Sequence, residues 1–307
     1  MPVRVLVLGS ANMDLVVQAP RMPLPGETIM GGPFRTVRGG KGANQAVACA
    51  RLGADTWMLA RVGADSFGDQ LVAGLQSDGV RTDLIARDTD EPSGVAIIIV
   101  EESGQNSIVV APGSNMRLTP ADLDRVGDWA AFDVLLMQLE IPIEVVQAAV
   151  ERAQAAGVLT VLDAGPPREL PAGLVAAVDV ISPNETEARA IMGLPADAPL
   201  SPEDAARRLL DAGARNVVLK LGADGALVAT AEGVEHVPAF KVEPVDTTGA
   251  GDAFTAALAV SLAEGKTLAE AARVACAAGA LACTVFGAAP SMPSREAVER
   301  FMTSHGG

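Results

Sequence analysis

Short β-branched runs alternate with longer Ala-, Leu- and Arg-rich segments of helical period along most of the chain. This alternation is typical of a mostly parallel β-sheet that is covered by helices on both faces. The predicted core strands are residues 3–9, 56–62, 134–138, 159–163, 178–182 and 216–220. The predicted helices are residues 42–52, 66–78, 143–156, 184–192, 202–212, 250–264 and 268–283. Helix-start signals, a hydroxyl residue followed by proline and acids, occur at residues 119–122 and 201–204. We therefore expect an α/β protein with a three-layer α/β/α body.

Two stretches, residues 15–37 and 94–110, break this alternation. Each is typical of two strands without an intervening helix, and residues 101–105 have the composition of a hairpin turn. We expect the strands to pair into a small second sheet that forms a lid on the body and offers its outer face as a dimer contact. No internal repeat or long linker divides the sequence, so we expect one domain over residues 1–307, with lid insertions at about 15–38 and 92–111.

The composition excludes several classes of function. A hydrophobic share of 49% in 307 residues is ample for a large core. The formal net charge of −15 argues against binding to nucleic acid or to an acidic membrane surface, because such binding needs clustered Lys and Arg. Aromatic residues make up only 3%, with no Tyr, which leaves few side chains for stacking on bases. Any anion site must therefore be local.

The cysteines and the apolar segments bear on location. Cys49, Cys276 and Cys283 form neither a paired framework nor a metal-binding spacing, so we expect reduced thiols. The apolar stretch at residues 3–8 is short for a signal peptide, and no run approaches the ~20 apolar residues of a membrane helix. These features predict a cytoplasmic protein without a membrane partner.

Residues 246–254 (DTTGAGDAF) form an oxygen-rich turn with two glycines that leads into a long Ala- and Leu-rich segment. Glycine lets the backbone approach a ligand closely and the N–H groups at a helix start favour an anion, so Gly249, Ala250 and Gly251 predict a phosphate site. A carboxylate beside a phosphate is repelled unless it does chemistry, which predicts that Asp252 takes a proton from an attacking alcohol. Taken alone, the pattern also fits a helix with an ordinary Asp in its first turn.

Two common phosphate-binding motifs do not fit. In residues 38–44 (RGGKGAN) the Gly-Lys pair is followed by Gly instead of Ser or Thr, and Arg35 stands where a Walker loop needs Gly. A Rossmann turn would need a third small residue where the segment 249–254 ends in Phe254, and it should follow the first strand.

Five motifs in a fixed order carry a resemblance that covers the whole chain. They are residues 9–14 (GSANMD), 39–46 (GGKGANQA), 137–140 (MQLE), 183–187 (PNETE) and 246–252 (DTTGAGD). In this order they resemble the ribokinase/PfkB family of carbohydrate and nucleoside kinases. The 39–45 segment is more similar to the ribokinase branch than to fructokinases or ketodeoxygluconate kinases.

The resemblance implies a sugar site, and the residue types agree with it. The implied set is Asn12, Asp14, Gly40, Lys41, Asn44, Glu140 and Asp252. An ionised carboxylate accepts two vicinal hydroxyls, whereas an amide side chain both donates and accepts. From the residues alone, Asn12 and Asp14 could be ordinary turn residues after a strand, Lys41 a solvated side chain at a helix start, and Glu140 a helix cap.

The resemblance also implies the parts of a phosphoryl-transfer site. The amides of residues 249–252 would stabilise the transferring γ-phosphoryl group while Asp252 acts as general base. Mg²⁺ would accompany ATP, with Asn184 and Glu187, at i and i+3 of a helix, organising phosphate and metal waters. A merely solvated surface helix is the alternative for this pair.

The implied ATP-binding set is Asn184, Glu187, Lys220, Gly222, Gly225, Gly251 and Cys276. The sequence departs from the family pattern at two of these positions. Ribokinases often carry a small hydroxyl residue where this chain has Lys220, and a polar residue where it has Cys276. A lysine at position 220 could instead reach a phosphate.

Ribokinases are also stimulated by a monovalent cation, which implies K⁺ as an activator here. The matching positions are Asp246, Thr248, Ala282, Val285, Gly287 and Ser291. Most would act through backbone carbonyls, and Asp246 supplies the one formal charge. The Gly- and Pro-containing segment 285–291 is also compatible with a plain connecting loop.

Together these motifs imply ATP-dependent phosphorylation of D-ribose at O5 by a homodimer. One rival is a kinase of the same family for 2-deoxyribose or a nucleoside, although few aromatic residues near the sugar motifs are available to line a base pocket. The other is a catalytically silent sugar-binding regulator, which we would expect to have lost Asp252 or its flanking glycines.

Overall fold

The computed structural model describes residues 1–103 and 105–305. Within these residues the strands are β1 (Arg4–Leu8), β2 (Asn12–Ala19), β3 (Phe34–Gly39), β4 (Asp55–Leu59), β5 (Arg61–Gly63), β6 (Ala86–Asp88), β7 (Gly94–Glu101), β8 (Asn106–Ala111), β9 (Val134–Met137), β10 (Leu159–Asp163), β11 (Val180–Ser182), β12 (Val217–Lys220), β13 (Ala226–Thr230) and β14 (Gly233–Val237). The helices are α1 (Lys41–Arg51), α2 (Ser66–Ser77), α3 (Ile143–Ala155), α4 (Ala172–Ala177), α5 (Glu185–Ile191), α6 (Pro202–Asp211), α7 (Ala250–Ala263), α8 (Leu268–Ala282), α9 (Ala288–Ser291) and α10 (Arg295–His305).

The main sheet has eight strands in the order β14-β13-β12-β11-β10-β9-β1-β4. The six strands from β12 to β4 run parallel, and β13 and β14 add an antiparallel edge. The carboxyl ends of the parallel strands therefore meet at one edge of the sheet, which is where ligands bind in open α/β folds.

Successive residues of β1 alternate between two hydrophobic cores. Val5 and Val7 belong to the core that contains α1, α7 and α8, whereas Leu6 and Leu8 belong to the core that contains α3 to α6. Because side chains of a strand point alternately to opposite faces, each face of the sheet is covered by its own helical layer. The predicted three-layer α/β/α fold is confirmed.

The small sheet has four strands in the order β3-β2-β7-β8. Strands β2 and β7 pair in parallel, and β3 and β8 are antiparallel to their neighbours. The predicted insertions supply all four strands, but β2 begins at Asn12, three residues earlier than expected. The predicted hairpin turn at 101–105 includes Gly104, which lies outside the described residues.

Other elements differ from the prediction for identifiable reasons. The predicted strand 56–62 is two strands, because after β4 the chain leaves the main sheet and β5 pairs with β6 instead. The start signal at Thr119 opens a 3₁₀-helix, Pro120–Val126. The edge hairpin β13–β14 was not predicted, since its strands lack a helical crossover. Among the described residues, no helix is both long and apolar enough to span a bilayer.

Candidate active site

Helix α1 begins where the small sheet meets the main sheet. Gly40, the residue before the helix, has φ +88°, and a Cβ atom there would lie 2.7 Å from the backbone nitrogen of Asn12. Glycine is required because it tolerates positive φ and lets the start of α1 contact the start of β2. This contact brings Lys41 and Asn44, from the body, beside Asn12 and Asp14, from the small sheet.

Helix α7 is preceded by Gly249, which has the left-handed φ of +82°. The amide of Ala250 donates to the carbonyl of Thr247 at 3.2 Å. Within residues 1–103 and 105–305, the amides of Gly251 and Asp252 have no such acceptor. Unpaired N–H groups at the start of a 14-residue helix favour an anion.

Asp252 lies just inside this helix start and is 5% exposed. Its Oδ2 atom accepts a hydrogen bond from the Asn44 amide at 2.9 Å. Its Oδ1 atom lies 3.4 Å from Lys41 Nζ and accepts from the Gln45 amide at 3.2 Å. All three partners come from α1, so the packing of α1 against α7 fixes the orientation of the carboxylate.

The environment of Asp252 raises its pKa above the ordinary value. Burial is the main cause and the nearby charges of Asp163 and Glu140 add to it, whereas Lys41 and the Asn44 hydrogen bond act in the opposite direction. A carboxylate with a raised pKa is a stronger base, which is what proton abstraction from an alcohol requires.

Asp163, the last residue of β10, was not predicted as a site residue. It is fully buried and lies between two lysines, with Lys220 Nζ 2.6 Å from Oδ1 and Lys41 Nζ 3.2 Å from Oδ2. Burial opposes its ionisation, but Lys220 and Lys41 outweigh burial and lower the pKa of Asp163. The sequence could have identified it only by its position at the carboxyl end of a predicted parallel strand, because ligands bind at these ends in open α/β sheets.

Gln45 and Gln138 were also missed as site residues. The Gln45 amide donates to Asp163 at 2.8 Å as well as to Asp252, and its oxygen accepts from the Gln138 amide at 2.6 Å. Both glutamines lie within the motifs quoted for the family resemblance. Their hydrogen bonds join the two carboxylates into one buried network.

Lys220 reaches this network from the end of β12 and its side chain is 10% exposed. Besides Asp163, it lies 3.6 Å from Glu187 Oε2. A methyl group on Gly251 would be only 3.9 Å from Lys220 Nζ, so the ammonium group lies beside the first turn of α7. Two independent cationic features, the lysine and the helix start, therefore face the same space.

Asn184 and Glu187 form a capping box at the start of α5. The Asn184 side chain accepts from the Glu187 amide at 2.8 Å, and Glu187 Oε2 accepts from the Asn184 amide at 2.7 Å. Asn184 is thus the residue before the helix and not part of a helical face. Glu187 is buried, so the alternative of a merely solvated surface helix is wrong for this residue.

The residues implied for the sugar line the junction of the two sheets. Asn12 and Asp14 are strand residues of β2, so the turn interpretation is wrong. Glu140 accepts from the amide of Lys41 at 3.0 Å and from the Ser10 hydroxyl, which links it to the start of α1. Asn44 Oδ1 is buried without a hydrogen-bond donor among the described residues. A buried acceptor of this kind is expected to bind a ligand hydroxyl or a water.

Asp14 is surrounded by negative charge. Burial, followed by the charges of Glu140 and Asp252, raises the pKa of Asp14 to about 7. Because the charges of Glu140 and Asp252 act on Asp14, hydrogen-bond donors that enter between these side chains will be bound preferentially.

The remaining nucleotide positions lie near the same edge. Gly222 begins the 3₁₀ turn Gly222–Asp224, which connects β12 to β13, and Gly225 follows it. Cys276 lies on α8 within the core that packs against this hairpin. Burial raises the pKa of the Cys276 thiol to about 11, so the thiol stays neutral.

Asp246 holds together the two segments of the implied cation site. Its Oδ1 accepts from the amide and hydroxyl of Thr248, and its Oδ2 accepts from the amide of Gly287 at 2.9 Å. These hydrogen bonds outweigh burial and lower the pKa of Asp246. The other implied positions are Ala282 at the end of α8, Val285 in the connecting loop, and Ser291 at the end of α9.

Comparison with known proteins agrees with this geometry. The pattern of the pfkB family of carbohydrate kinases matches residues 3–295. The ribokinase of Bacillus subtilis is 39% identical over 300 residues, which cover 97% of this chain and 99% of the relative. The deoxyribokinase of Salmonella typhi is 36% identical over 301 residues, which cover 97% and 98%.

Among solved structures, the Arabidopsis thaliana ribokinase complexed with ribose and ATP superimposes with a TM-score of 0.89. It shares 35% sequence identity, and the alignment covers 98% of this chain and 99% of that one. The family match over nearly the whole chain, the full-length relatives and the fold lead to one assignment. The chain belongs to the pfkB family of carbohydrate kinases.

Proposed function

We propose that the chain catalyses ATP-dependent phosphorylation of D-ribose at O5. The observation that carries this proposal is Asp252, a buried carboxylate with a raised pKa held beside the unpaired amides of α7. The relatives named ribokinase and the relative solved with ribose and ATP support the choice of substrates.

We assign the sugar to the junction between β2 and α1. Asp14 and Glu140 accept hydrogen bonds from sugar hydroxyls, and Asn12 and Lys41 donate hydrogen bonds to them. The unpaired Asn44 Oδ1 accepts a hydrogen bond from one more hydroxyl. A site built from hydrogen-bonding groups discriminates strongly against analogues that leave those groups unpaired. In this arrangement the primary hydroxyl of the sugar faces Asp252.

Phosphoryl transfer then needs positioning and neutralisation of charge. Asp252 takes the proton from the O5 hydroxyl as that oxygen attacks the γ-phosphorus, and the bond from the γ-phosphorus to the β–γ bridging oxygen breaks so that ADP leaves. The amides of Gly251 and Asp252 stabilise the charge on the transferring group, and Lys220 adds a cation beside them. The turn around Gly222 and Gly225 and the helix face at Cys276 border the nucleotide.

Mg²⁺ would be held mainly by the ATP phosphates, its waters and Glu187. The fit rests on Glu187: its Oε2 accepts from the Asn184 amide, whereas its Oε1 accepts no hydrogen bond from the described residues. Magnesium keeps several waters and needs few protein ligands. It is therefore compatible with the finding that, in the described ranges, no three Asp, Glu, His or Cys residues are placed to hold a metal ion together. When bound, the ion neutralises charge between the phosphates.

We further propose that K⁺ activates the enzyme through the segments joined by Asp246. Its carboxylate stays ionised, because hydrogen bonds from Thr248 and Gly287 lower its pKa. An ionised aspartate between two loops rich in backbone carbonyls suits a monovalent cation. Thr248 is adjacent to Gly249, so an ion there would set the geometry of the anion site.

A homodimer through the small sheet is the proposed assembly. Large apolar side chains of this sheet are exposed to between 46% and 64%: Phe34, Ile97, Ile108, Val109 and Val110. By strand register Phe34, Ile97 and Val109 lie on one face of the sheet, whereas Ile108 and Val110 lie on the other. Exposed apolar side chains that share one face mark an interaction surface, which here is the face of Phe34, Ile97 and Val109. We propose a cytoplasmic location for the enzyme, in keeping with its three free cysteines.

The second candidate substrate is 2-deoxyribose, because a deoxyribokinase is 36% identical over nearly the full chain. A coupled assay of ADP release across ribose, 2-deoxyribose, hexoses and nucleosides decides between the candidates. Highest kcat/KM for ribose supports the proposal, and highest kcat/KM for 2-deoxyribose or a nucleoside overturns it. ADP release that no sugar stimulates, together with measurable sugar binding, would indicate a regulator.

A further inference from the structure

Arg51, in the last turn of α1, makes several hydrogen bonds to one short turn of backbone. Its Nη1 atom donates to the carbonyl oxygens of Ala289 at 3.0 Å and Met292 at 2.9 Å, and more weakly to that of Pro290 at 3.4 Å. These carbonyls belong to α9 and the residue after it. A cationic side chain that binds the last carbonyls of a helix holds that end in place.

The turn that Arg51 holds presses directly on the start of α7. A Cβ atom on Gly249 would lie 3.1 Å from Ala288 Cα and 2.8 Å from Met292 Cε. There is therefore no space between α9 and Gly249. Since the carbonyl of Met292 itself accepts from Arg51, a shift of the guanidinium transmits to Gly249 through one residue.

Asp78 orients Arg51 and ties it to the small sheet. One carboxylate oxygen accepts from Arg51 Nη2 at 2.7 Å, and the other accepts from Arg38 Nη1 at 3.2 Å. Arg38 belongs to β3, and its guanidinium packs on α2, where a Cβ on Gly74 would lie 1.8 Å from Nη1. The Asp78 side chain is mostly buried. A bridging carboxylate between two guanidinium groups has little freedom to rotate.

We propose that Arg51, oriented by Asp78, is a positioning residue for phosphoryl transfer. By holding α9 against Gly249, it fixes the direction of the amides of Gly251 and Asp252, although it contacts neither substrate. Only the kinetic test of this role depends on the proposed function. A misplacement of about 1 Å in a positioned group can cost ~10²-fold in rate.

The kinetic test compares Arg51→Met, Arg51→Lys and Asp78→Asn with the unchanged chain. We expect Arg51→Met to lower kcat about 10- to 100-fold with a nearly unchanged KM for the sugar, because the sugar-binding residues lie at the other end of α1. Arg51→Lys should recover part of the loss, and Asp78→Asn should give a smaller decrease. Arg295→Met is the matched control, since Arg295 donates to the carbonyl of Leu52 at 2.6 Å and pairs with Glu264.

Hydrogen exchange gives a second readout that does not depend on catalysis. In Arg51→Met, amides of residues 247–253 and 285–292 should exchange faster, while those of α3 and α6 keep their rates. The proposal is overturned by a wild-type kcat in Arg51→Met, by unchanged exchange in those two segments, or by a uniform increase over all helices. If no sugar on the panel is phosphorylated, the proposed function fails while the exchange result still decides whether Arg51 holds α9.

Discussion

Lys220 Nζ lies 2.6 Å from Asp163 Oδ1, and the two side chains come from the carboxyl ends of β12 and β10. Asp163 is fully buried, and it also binds Lys41 and Gln45. The carboxylate thus holds two lysines on opposite sides, Lys41 toward the sugar pocket and Lys220 toward the start of α7. Burial of such a group is tolerated only because every oxygen is paired.

We expect Lys220→Met to lower kcat/KM for ATP about 10- to 100-fold, since a charge-assisted hydrogen bond to a phosphate contributes about 1.5–3 kcal/mol. Steady-state kinetics at varied ATP and saturating sugar measure this. Lys266→Met serves as control, because Lys266 pairs with Glu264 at the body surface. An unchanged kcat/KM for ATP, with a folded variant, would remove Lys220 from the phosphate site.

Asp252→Asn should lower kcat by ~10²–10⁴-fold, because it removes the general base while keeping the shape and the contact with Asn44. Calorimetric titration with ribose alone should still detect binding, since the proton is transferred only during reaction. Asp69→Asn, at an exposed position on α2, controls for loss of a carboxylate. A variant that keeps most of the wild-type kcat would rule out this role for Asp252.

The raised pKa of Asp14 predicts a pH-dependent stability. Between pH 4 and 7 the unfolded chain has already lost this proton while the folded chain, with a pKa of about 7, retains it. The free energy of unfolding therefore falls as pH rises through this window. Asp14→Asn removes that penalty. We therefore expect the free energy of unfolding of the variant, minus that of the unchanged chain, to be larger at pH 8 than at pH 4.5 by on the order of 1–3 kcal/mol.

Urea denaturation at the two pH values measures this difference, with Asp211→Asn at an exposed position of α6 as control. The difference in unfolding free energy between Asp14→Asn and the unchanged chain could also be the same at pH 4.5 and 8. That result would contradict the burial of a protonated Asp14.

The exposed apolar face of the small sheet gives a test of assembly. Val109 is 64% exposed, so we expect Val109→Asp to shift the protein from dimer to monomer in sedimentation velocity by placing a charge in the interface. Val234→Asp, at an exposed apolar position on the edge strand β14, should leave the dimer intact. A monomer before any substitution, or a dimer unaffected by Val109→Asp, would count against this surface.

The layered fold was predictable because its signals are local. Alternating strand and helix periods identified the body, and the glycine-rich motifs at residues 39–42 and 249–251 identified the starts of α1 and α7. The division of residues 55–63 into β4 and β5 was not predictable, since it depends on pairing with β6, more than 20 residues later. Such pairing has no signature in the segment itself.

The site was predictable only where a motif carried it. Asp163 ends an apolar strand and has no motif of its own, although it contacts residues from two distant segments, α1 and the end of β12. Arg51 has the sequence context of an ordinary last-turn arginine, and its contacts to the α9 turn arise only from the packing of α1. Tertiary contacts of this kind become visible only in the structure.

The proposed cation site gives the last prediction. Asp246 joins the turn before α7 to the segment before α9 through Thr248 and Gly287, so an ion bound between them would fix Gly249 and the amides that follow. We expect K⁺ to raise kcat, up to ~10²-fold where positioning dominates, whereas Na⁺, with its smaller radius, fits a cage of carbonyls less well.

Rates in potassium, sodium and tetramethylammonium salts at one ionic strength separate ion binding from general screening. Asp246→Ala should lose the potassium dependence, because it removes both the negative charge and the hydrogen bonds that join the two segments. Asp69→Ala, an exposed acid on α2, should keep it. Equal rates in all three salts would contradict the cation site, and an Asp246→Ala variant with full potassium dependence would mean that the ion binds elsewhere.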